Sequence, residues 1–487
     1  MKFIFDIFIN SAFYLALMLN KKVISAMTIA GSDSSGGAGI QADLKAFASI
    51  GVHGTSTITC ITAQNTKKVI NIEPLPIEMI KSQFEAIMDD ISPSHVKTGM
   101  LYSEKIVRFV ADEIEKRRLI AIVDPVMVST TGSKLSKDGF SNALIKNLIP
   151  VSTLITPNYD EAEELLGKKI RKGEEEDFCK ELKKLGSRYV LLKGGHAKAE
   201  KVIDIFYDGK EIRRYESIRL GGGTGYHGTG CTLSALITGY LAMGLEVKTA
   251  IEYAKEHILK SIVRSYAPGK GVHMIDQLAP LFDDKEKLNI LEKMRNMTYE
   301  IENSLETDMI PEVGTNFGYA KSHALRREDV CAFDGRIINI HGKVRVLSCP
   351  SFGASKHVAS IILSAMKYAP EMRCAMNIRY SKDMLKSVDD AKLKCASFSR
   401  KEEPKENVST MEWGTANAIE RYLKENGKET FPDVIYDEGG PGKEPMIRVL
   451  ARSPEELLEK VERIRKNYIK IAKRTKKEGD NGWKNKD

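Results

Sequence analysis

From residue 22 to about residue 281 the sequence alternates short, β-rich apolar runs with amphipathic helical stretches. The apolar runs lie at 23–30, 56–63, 120–127, 153–156 and 189–192. Strands that are apolar throughout are typical of a parallel sheet buried on both faces, because helices then cover each face. The alternation therefore predicts a right-handed βαβ sandwich, an α/β domain in which a sheet lies between two helical layers.

The rest of the sequence predicts a second, smaller α/β domain. Residues 202–207 and 212–218 flank Asp208-Gly209, which indicates a β-hairpin late in the first domain. A charged, Met-rich stretch then loosens around Pro311, and we interpret it as a linker. Further strands and helices are predicted at 344–347, 356–368, 415–425, 446–450 and 454–465. The predicted division is an N-terminal extension at 1–21, a first domain at 22–282, the linker at 283–313, a second domain at 314–472 and a basic tail at 473–487.

Charge and cysteine content exclude several classes of protein. The net charge of the 487 residues is +8, and the segment from Arg463 to the C-terminus holds ten Lys or Arg against three Asp or Glu. The remaining body is almost neutral, which argues against nucleic-acid binding. The seven cysteines are an odd number without a C-x-x-C pair. They disfavour a zinc site or a disulfide framework and favour a reducing cytoplasm.

A first glycine-rich loop, residues 31–39, follows the first predicted strand. Its end, Gly37-Ala-Gly39-Ile-Gln-Ala42, fits the dinucleotide fingerprint in its G-x-G-x-x-A form. That fingerprint also needs an acidic residue about 20 positions later, and the strand at 56–63 has none. A nicotinamide site is therefore disfavoured. The sequence also lacks G-x-x-x-x-G-K-[ST], which disfavours a P-loop kinase.

A second glycine-rich loop, residues 221–231, precedes an apolar helix at 232–243. Glycines let backbone N–H groups crowd around one point, and a helix start adds its dipole, so this loop predicts an anion hole. Cys231 is expected in the first helical turn, where the pKa of a thiol is lowered. The alternative is a small buried cysteine in a tight loop, which the glycine context makes the weaker interpretation.

The motifs of the first domain resemble the bacterial hydroxymethylpyrimidine/phosphomethylpyrimidine kinases, which have the ribokinase-like fold. The matching segments are 36–45, 62–66, 97–100, 124–127, 156–158, 192–196 and 228–231. The resemblance implies a ribokinase-like αβα sandwich and two successive ATP-dependent phosphoryl transfers. The first transfer goes to the hydroxymethyl group and the second to the resulting phosphate.

The resemblance also assigns roles to residues of the kinase domain. Cys231 lies where ribokinase-like enzymes carry the catalytic base, and the adjacent turn would supply N–H donors to the transferring phosphoryl group. The amide of Gln64 offers a donor and an acceptor to the aminopyrimidine edge. The implied residues are Gly228, Thr229 and Gly230 for the anion hole; Asp43, Gly31 and Met100 for the pyrimidine pocket; Asn158 and Lys193 for ATP; Glu161 and Asp124 for Mg²⁺. For Asp43 and Glu161 a solvated position on a helix is the alternative.

The second domain resembles the archaeal-type thiamine-phosphate synthases. The matching segments are 316–320, 334–336, 350–357 and 437–446. That family joins hydroxymethylpyrimidine diphosphate to thiazole phosphate and releases pyrophosphate. The resemblance implies Arg336 and His357 as catalytic residues, with the arginine fork suited to phosphate oxygens. His357 opens a predicted helix and would donate a proton to the leaving group. Additional phosphate ligands are expected at Ser355, Lys356, Arg400 and Lys443.

Two alternative functions remain open from the sequence. A pyridoxal kinase has nearly the same fold and glycine turn as the first domain. Domains like the second also occur fused to helix-turn-helix segments as thiamine-responsive repressors, although no helix-turn-helix is evident ahead of Asn316. The partners expected are small-molecule substrates, with no nucleic acid or membrane, and a homo-oligomer, a dimer by analogy with ribokinase-like enzymes.

The N-terminal segment 1–20 is apolar and aromatic, and residues 1–17 match nothing in the kinase family. Asp6 interrupts it early and Lys21-Lys22 follows it, whereas a signal peptide carries its positive charge before the apolar run. We expect Met18 to be the natural start. Every inferred substrate is small, polar and cytoplasmic, so the reactions do not call for a membrane segment ahead of the kinase domain. A membrane anchor or an extra helix docked on the kinase is the alternative.

Overall fold

The structure is a computed structural model, and it describes residues 23–128, 132, 135–137, 139–194, 201–220, 226–403, 410–427 and 430–483. Residues 1–22, with the predicted start at Met18, and residues 221–225 of the second glycine loop lie outside this set. The chain divides into two compact units, residues up to Leu281 and residues from Phe282 onward. Within the part of the chain that the structure describes, no helix is both long enough and apolar enough to span a membrane.

The first unit is built on one sheet, which within the described residues has nine strands in the order β3-β2-β1-β4-β5-β6-β7-β8-β9. Strands β2, β1, β4, β5, β6 and β7 run parallel, and β3, β8 and β9 pair antiparallel at the two edges. The strands are β1 (Ser25–Asp33), β2 (His53–Gln64), β3 (Val69–Pro74), β4 (His95–Thr98), β5 (Ile120–Val123), β6 (Leu154–Ile155), β7 (Tyr189–Leu192), β8 (Lys201–Tyr207) and β9 (Ile212–Ile218).

Helices cover both faces of this sheet. They are α1 (Gly39–Ser49), α2 (Ile77–Asp90), α3 (Glu104–Arg117), α4 (Phe140–Ala143), α5 (Tyr159–Leu166), α6 (Glu175–Lys184), α7 (Thr229–Ala242) and α8 (Val247–Val263). Neighbouring strand residues point to opposite faces, so Met27 and Ile29 join the core beneath α2 and α3, while Ala26 joins the core beneath α7 and α8. The predicted αβα sandwich is confirmed, as is the late hairpin, in which β8 and β9 pair across Asp208-Gly209.

The second unit contains, among its described residues, a seven-stranded sheet in the order β14-β11-β10-β15-β18-β17-β16 and a two-stranded ribbon of β12 and β13. The strands are β10 (Phe317–Ala320), β11 (Val330–Phe333), β12 (Ile337–Ile340), β13 (Lys343–Val346), β14 (Pro350–Phe352), β15 (Cys374–Arg379), β16 (Cys395–Ser397), β17 (Val434–Asp437) and β18 (Met446–Ala451). The pairing is antiparallel apart from β16 with β17. This confirms a second α/β domain.

The helices of the second unit begin ahead of its sheet. They are α9 (Ala279–Asn296), whose first three residues belong to the first unit, α10 (Thr298–Ser304), α11 (Lys356–Met366), α12 (Lys382–Asp390), α13 (Thr410–Asn426) and α14 (Pro454–Trp483). Here the structure differs from the predicted linker at 283–313. Ile290, Met294 and Ile301 on α9 and α10 are buried in the same core as Phe317 of the sheet. The Met-rich segment thus forms amphipathic helices whose apolar side packs into the core of the second unit. Helix α14 likewise continues into the predicted basic tail.

Candidate active sites

The predicted kinase residues gather at one edge of the first sheet. Parallel strands present their carboxyl ends at the same edge, and ligands of open α/β sheets bind there. Asp124 follows β5 directly, and Lys193 follows β7 directly. Asn158 and Lys193 form an isolated parallel β-bridge, which extends the β6–β7 pairing toward the site. The topology therefore brings together residues that lie far apart in the sequence.

The two glycine-rich loops contact each other at this edge. Gly228 has φ +89°, and a Cβ built on it would lie 1.9 Å from the carbonyl oxygen of Gly37, so only glycine fits there. The turn at Gly228 leads into α7, which begins at Thr229. The backbone N–H of Gly39 donates to the thiol of Cys231. The first loop thus closes against the start of α7, where the anion hole is predicted.

Burial raises the pKa of Cys231 to about 11. The positive charge of Lys97 opposes this shift, while the carboxylates of Asp43 and Asp124 add to it. The predicted lowering of the pKa of Cys231 is wrong, because the effect of burial exceeds the favourable effects of the helix start and of Lys97. The thiol is therefore protonated at neutral pH in the protein without substrates.

Asp43 and Lys97 form a fully buried ion pair below Cys231. The Nζ of Lys97 lies 3.0 and 2.8 Å from the two carboxylate oxygens of Asp43, and the hydroxyl of Thr28 donates to Asp43 Oδ2 at 2.6 Å. Burial lowers the pKa of Lys97, but the adjacent carboxylate outweighs it and keeps the lysine charged. Asp43 is predicted to line the pyrimidine pocket, and the structure places its carboxylate, completely buried, against Lys97.

Replacing Lys97 with Met should destabilise the first unit by about 3–5 kcal/mol, because Asp43 is left as an unpaired buried charge. Hydrogen exchange of β1 and β4 peptides in increasing urea measures this loss. The matched control is Lys201→Met, which removes an ion pair to Glu216 that is more than half exposed; its exchange profile in urea should match that of the wild type. The double variant Lys97→Met/Asp43→Asn should recover most of the loss. A single variant as stable as the control would contradict the argument.

A histidine that the sequence reasoning missed connects the two loops. The Nε2 of His227 lies 2.9 Å from Asp33 Oδ2 and 3.2 Å from the side-chain nitrogen of Gln64. Asp33 also accepts from the backbone N–H groups of Ser35 and Ala38. Burial raises the pKa of Asp33, but these hydrogen bonds lower it to about 2 overall. The signal in the sequence is the position of His227, immediately before the Gly228 turn.

Sulfur-containing side chains lie beside Gly31, a residue predicted to line the pyrimidine pocket. A Cβ at Gly31 would lie 2.7 Å from Cys60 Sγ and 3.3 Å from Met100 Sδ. Cys60 and Met100 are buried in one small apolar cluster. The structure thus places the predicted residues Gly31 and Met100 side by side, with Cys60 as an additional member.

Lys193 links the two carboxylates that were predicted to act on Mg²⁺. Its Nζ lies 2.7 Å from Asp124 Oδ1 and 3.8 Å from Glu161 Oε2. A Cβ at Gly230 would lie 3.3 Å from the same Nζ, so the anion-hole turn contacts this group. Burial raises the pKa of Glu161 to about 7, and the nearby Asp124 contributes in the same direction. These charges lie next to the start of α7.

Asn158 and Glu161 also form a capping box at the start of α5. The side chain of Asn158 accepts from the N–H of Glu161, and the carboxylate of Glu161 accepts from the N–H of Asn158, both at 2.8 Å. No cluster of three or more metal-ligating side chains occurs among the described residues. Two adjacent buried carboxylates nevertheless suit Mg²⁺, which commonly takes one or two carboxylates together with substrate phosphates and water.

In the second unit, His357 lies in the first turn of α11. Ser355 caps this helix by accepting from the N–H of Val358, and Lys356 is exposed. Burial lowers the pKa of His357 to about 4, and the charges of Arg448, Arg336 and Arg400 act in the same direction. The imidazole is therefore neutral at pH 7 and surrounded by positive charge.

Arg336 is exposed and has φ +62°. Its guanidinium donates to the backbone oxygen of Val313. Its charge acts on His357, so the structure brings the two predicted catalytic residues into one electrostatic environment.

One of the remaining phosphate candidates, Arg400, contacts a buried carboxylate. Asp437 accepts hydrogen bonds from Arg400 and from Arg448, and the latter pair is completely buried. Lys443, another candidate, pairs with Glu403 at 3.3 Å. Sequence reasoning did not single out Asp437 or Arg448, although an arginine inside the apolar strand β18 was an available signal.

Comparisons with known proteins agree with this division of the chain. The phosphomethylpyrimidine kinase family matches residues 33–276, and the thiamine-phosphate synthase ThiN family matches residues 293–463. The chain is 36% identical to the bifunctional thiamine biosynthesis protein ThiDN of Methanocaldococcus jannaschii over 448 residues, which cover 91% of this chain and 98% of that protein.

The first unit also has relatives of its own. It is 40% identical over 240 residues to the hydroxymethylpyrimidine/phosphomethylpyrimidine kinase of Rhizobium meliloti, covering 49% of this chain and 90% of that protein. Among solved structures, the phosphomethylpyrimidine kinase of Clostridium difficile is 44% identical, with a TM-score of 0.44, and covers 49% of this chain and 99% of that one.

Proposed function

The chain belongs to the family of bifunctional thiamine biosynthesis proteins that join a hydroxymethylpyrimidine/phosphomethylpyrimidine kinase to a thiamine-phosphate synthase, and from this premise we propose how its residues perform the two reactions. The kinase unit phosphorylates hydroxymethylpyrimidine and then its phosphate, using ATP. The synthase unit condenses the resulting diphosphate with thiazole phosphate. The observation that carries the assignment of roles is the contact of the two glycine loops around Cys231.

In the kinase unit, the turn from Gly228 to Gly230 offers backbone N–H groups to the transferring phosphoryl group, aided by the start of α7. The substrate hydroxyl oxygen forms the new bond to phosphorus while the bond from phosphorus to ADP breaks. Cys231 accepts the hydroxyl proton, which requires its thiolate form. The loop contact with Gly39 fixes the sulfur relative to the turn.

We assign the neutralisation of phosphate charge on the nucleotide to Lys193 and to a Mg²⁺ ion that Asp124 and Glu161 would hold. Lys193 neutralises phosphate charge directly from its position beside Gly230. Asp124 and Glu161 would hold Mg²⁺, directly or through water, and the ion would neutralise charge on the phosphates of ATP. Asn158 shapes this region by capping α5 and by pairing with the backbone of Lys193.

Recognition of the pyrimidine is assigned to Gln64 together with Gly31, Met100 and Cys60. The amide of Gln64 reads the aminopyrimidine edge, and the Nε2 of His227 lies 3.2 Å from the nitrogen of that amide. Asp43 acts as a positioning residue in this proposal, because it holds the charged Lys97 beneath Cys231 rather than contacting the ring.

In the synthase unit, the thiazole nitrogen attacks the methylene carbon of the pyrimidine while the bond from carbon to the diphosphate oxygen breaks. Arg336 neutralises the developing pyrophosphate with its planar fork. His357 is neutral without substrate and offers one N–H donor. A bound diphosphate adds negative charge that raises the pKa of His357, so the same side chain becomes able to protonate the leaving group.

One assay of the purified full chain tests both reactions. Hydroxymethylpyrimidine, thiazole phosphate, ATP and Mg²⁺ should yield thiamine phosphate and pyrophosphate. Pyridoxal replaces hydroxymethylpyrimidine in the control and should be phosphorylated more slowly. Faster turnover of pyridoxal would contradict the substrate assignment, and accumulation of the pyrimidine diphosphate without condensation would contradict an active synthase unit.

A cytoplasmic location and a homo-oligomeric state also stay predictions. The sequence has seven cysteines without a C-x-x-C pair, which favours a reducing cytoplasm. The homo-oligomer is supported by analogy with ribokinase-like enzymes. Light scattering of the purified chain measures the oligomeric state, and a monomer at all concentrations would contradict the dimer.

A further inference from the structure

Arg448 occupies a position where a charged residue is rare. It lies in the apolar strand β18 and is completely buried. Its Nη2 donates to Asp437 Oδ2 at 2.7 Å and its Nη1 to the backbone oxygen of Met446 at 3.3 Å. Its Nε is buried and has no hydrogen-bond partner among the described residues. Asp437 supplies the counter-charge that a cation inside this strand requires.

Asp437 is shared by two guanidinium groups. Arg400 Nε donates to Asp437 Oδ1 at 2.5 Å, and Arg400 Nη2 donates to Oδ2 at 3.2 Å. The side chain of Arg400 is 11% exposed, whereas those of Asp437 and Arg448 are fully buried. Two cations on one carboxylate leave one positive charge of the cluster unbalanced. A buried charge without a counter-charge is costly, so the cluster is suited to an anion.

The cluster also contacts the loop that follows β17. The N–H of Gly439 donates to Asp437 Oδ1 at 2.9 Å, and a Cβ built on Gly440 would lie 3.8 Å from Arg400 Cδ. The loop after β17 therefore contacts the exposed end of the cluster. The charges of Arg400 and Arg448 also act on His357, the predicted proton donor of the synthase.

We propose that Arg400, Asp437 and Arg448 form the subsite for the diphosphate of the pyrimidine substrate and for the pyrophosphate released from it. Arg400 contacts the diphosphate, because it is the accessible member and its planar fork suits phosphate oxygens. Arg448 is a positioning residue that holds Asp437 and thereby the orientation of Arg400. This inference rests on the proposed synthase function of the second unit and names the part of its site that binds the leaving group.

Isothermal titration of the full chain with inorganic pyrophosphate tests this subsite. A non-hydrolysable ATP analogue is present at saturation, so that the nucleotide site of the kinase unit is occupied. Arg400→Gln and Arg448→Met should each bind pyrophosphate at least about tenfold more weakly than the wild type. The matched control, Arg345→Gln, removes an arginine of the same unit that pairs with Glu302; its affinity should stay within about twofold.

Kinetics distinguish a positioning role from a general loss of structure. Arg448→Met should raise the KM for the pyrimidine diphosphate more than it lowers kcat, and Arg448→Lys, which keeps a charge on Asp437, should recover part of the affinity. Arg400 lies at the surface of the cluster, so Arg400→Gln provides the test if Arg448→Met fails to fold.

If Arg400→Gln and Arg448→Met both bind pyrophosphate as tightly as the Arg345→Gln control, the proposed subsite is wrong, even if the synthase is active. If the wild-type synthase is inactive but its pyrophosphate binding still depends on Arg400, the proposed function is wrong and the subsite is supported.

Discussion

Replacing Arg336 or His357 with alanine should abolish the formation of thiamine phosphate while both phosphoryl transfers continue at the wild-type rate. The two residues belong to the second unit, and the kinase residues belong to the first. Loss of Arg336 removes the fork that neutralises the leaving pyrophosphate, and loss of His357 removes its proton donor. A positioned acid contributes about 10²–10⁴-fold, so the condensation rate should fall by at least that factor. Separate assays of each phosphorylated pyrimidine and of thiamine phosphate measure the three steps.

Conservative variants sharpen this experiment. Arg336→Lys keeps the charge but loses the planar fork, and it should recover only a small part of the activity. His341→Asn is the matched control for His357→Asn, because His341 is an exposed histidine of the same unit on the ribbon of β12 and β13; its condensation rate should equal that of the wild type. A kinase defect in either alanine variant would contradict independent catalytic sites, and normal condensation would remove Arg336 and His357 from the mechanism.

The fold of the first unit was predictable because its signals are local. Apolar runs such as 189–192 coincide with strands, and the hairpin at Asp208-Gly209 follows from turn chemistry. The stretch 283–313 could not be assigned in the same way. Its charge and Met content suit an exposed linker as well as an amphipathic helix, and only the sheet that Ile290 and Met294 pack against decides between them.

The sites were predictable at the level of residue identity but not of electrostatics. Glycine turns and strand ends identify Cys231 and Lys193, since these features lie within short motifs. The partners that set their charge states come from distant segments: Asp43 and Lys97 are 54 residues apart. The raised pKa of Cys231 depends on burial, which a motif does not encode. Arg448 was missed for the same reason, because Asp437, which accounts for its position, lies on another strand.

Replacing Cys231 with alanine should lower the rate of the first phosphoryl transfer, to the hydroxymethyl group, by about 10²–10⁴-fold, the usual contribution of a positioned base. The pKa of about 11 adds a test of the charge state. A base with this pKa is almost entirely protonated at pH 7, and its active thiolate fraction rises about tenfold with each pH unit below the pKa.

The kcat/KM of the wild-type kinase should therefore increase from pH 7 to pH 9, and Cys231→Ala should lose this increase because it has no thiol to ionise. Cys349→Ala, which removes an exposed cysteine of the second unit, is the control and should keep the wild-type profile. Activity of Cys231→Ala within about threefold of the wild type, with the same pH profile, would show that the backbone N–H groups of the turn and Lys193 account for catalysis without a thiolate base.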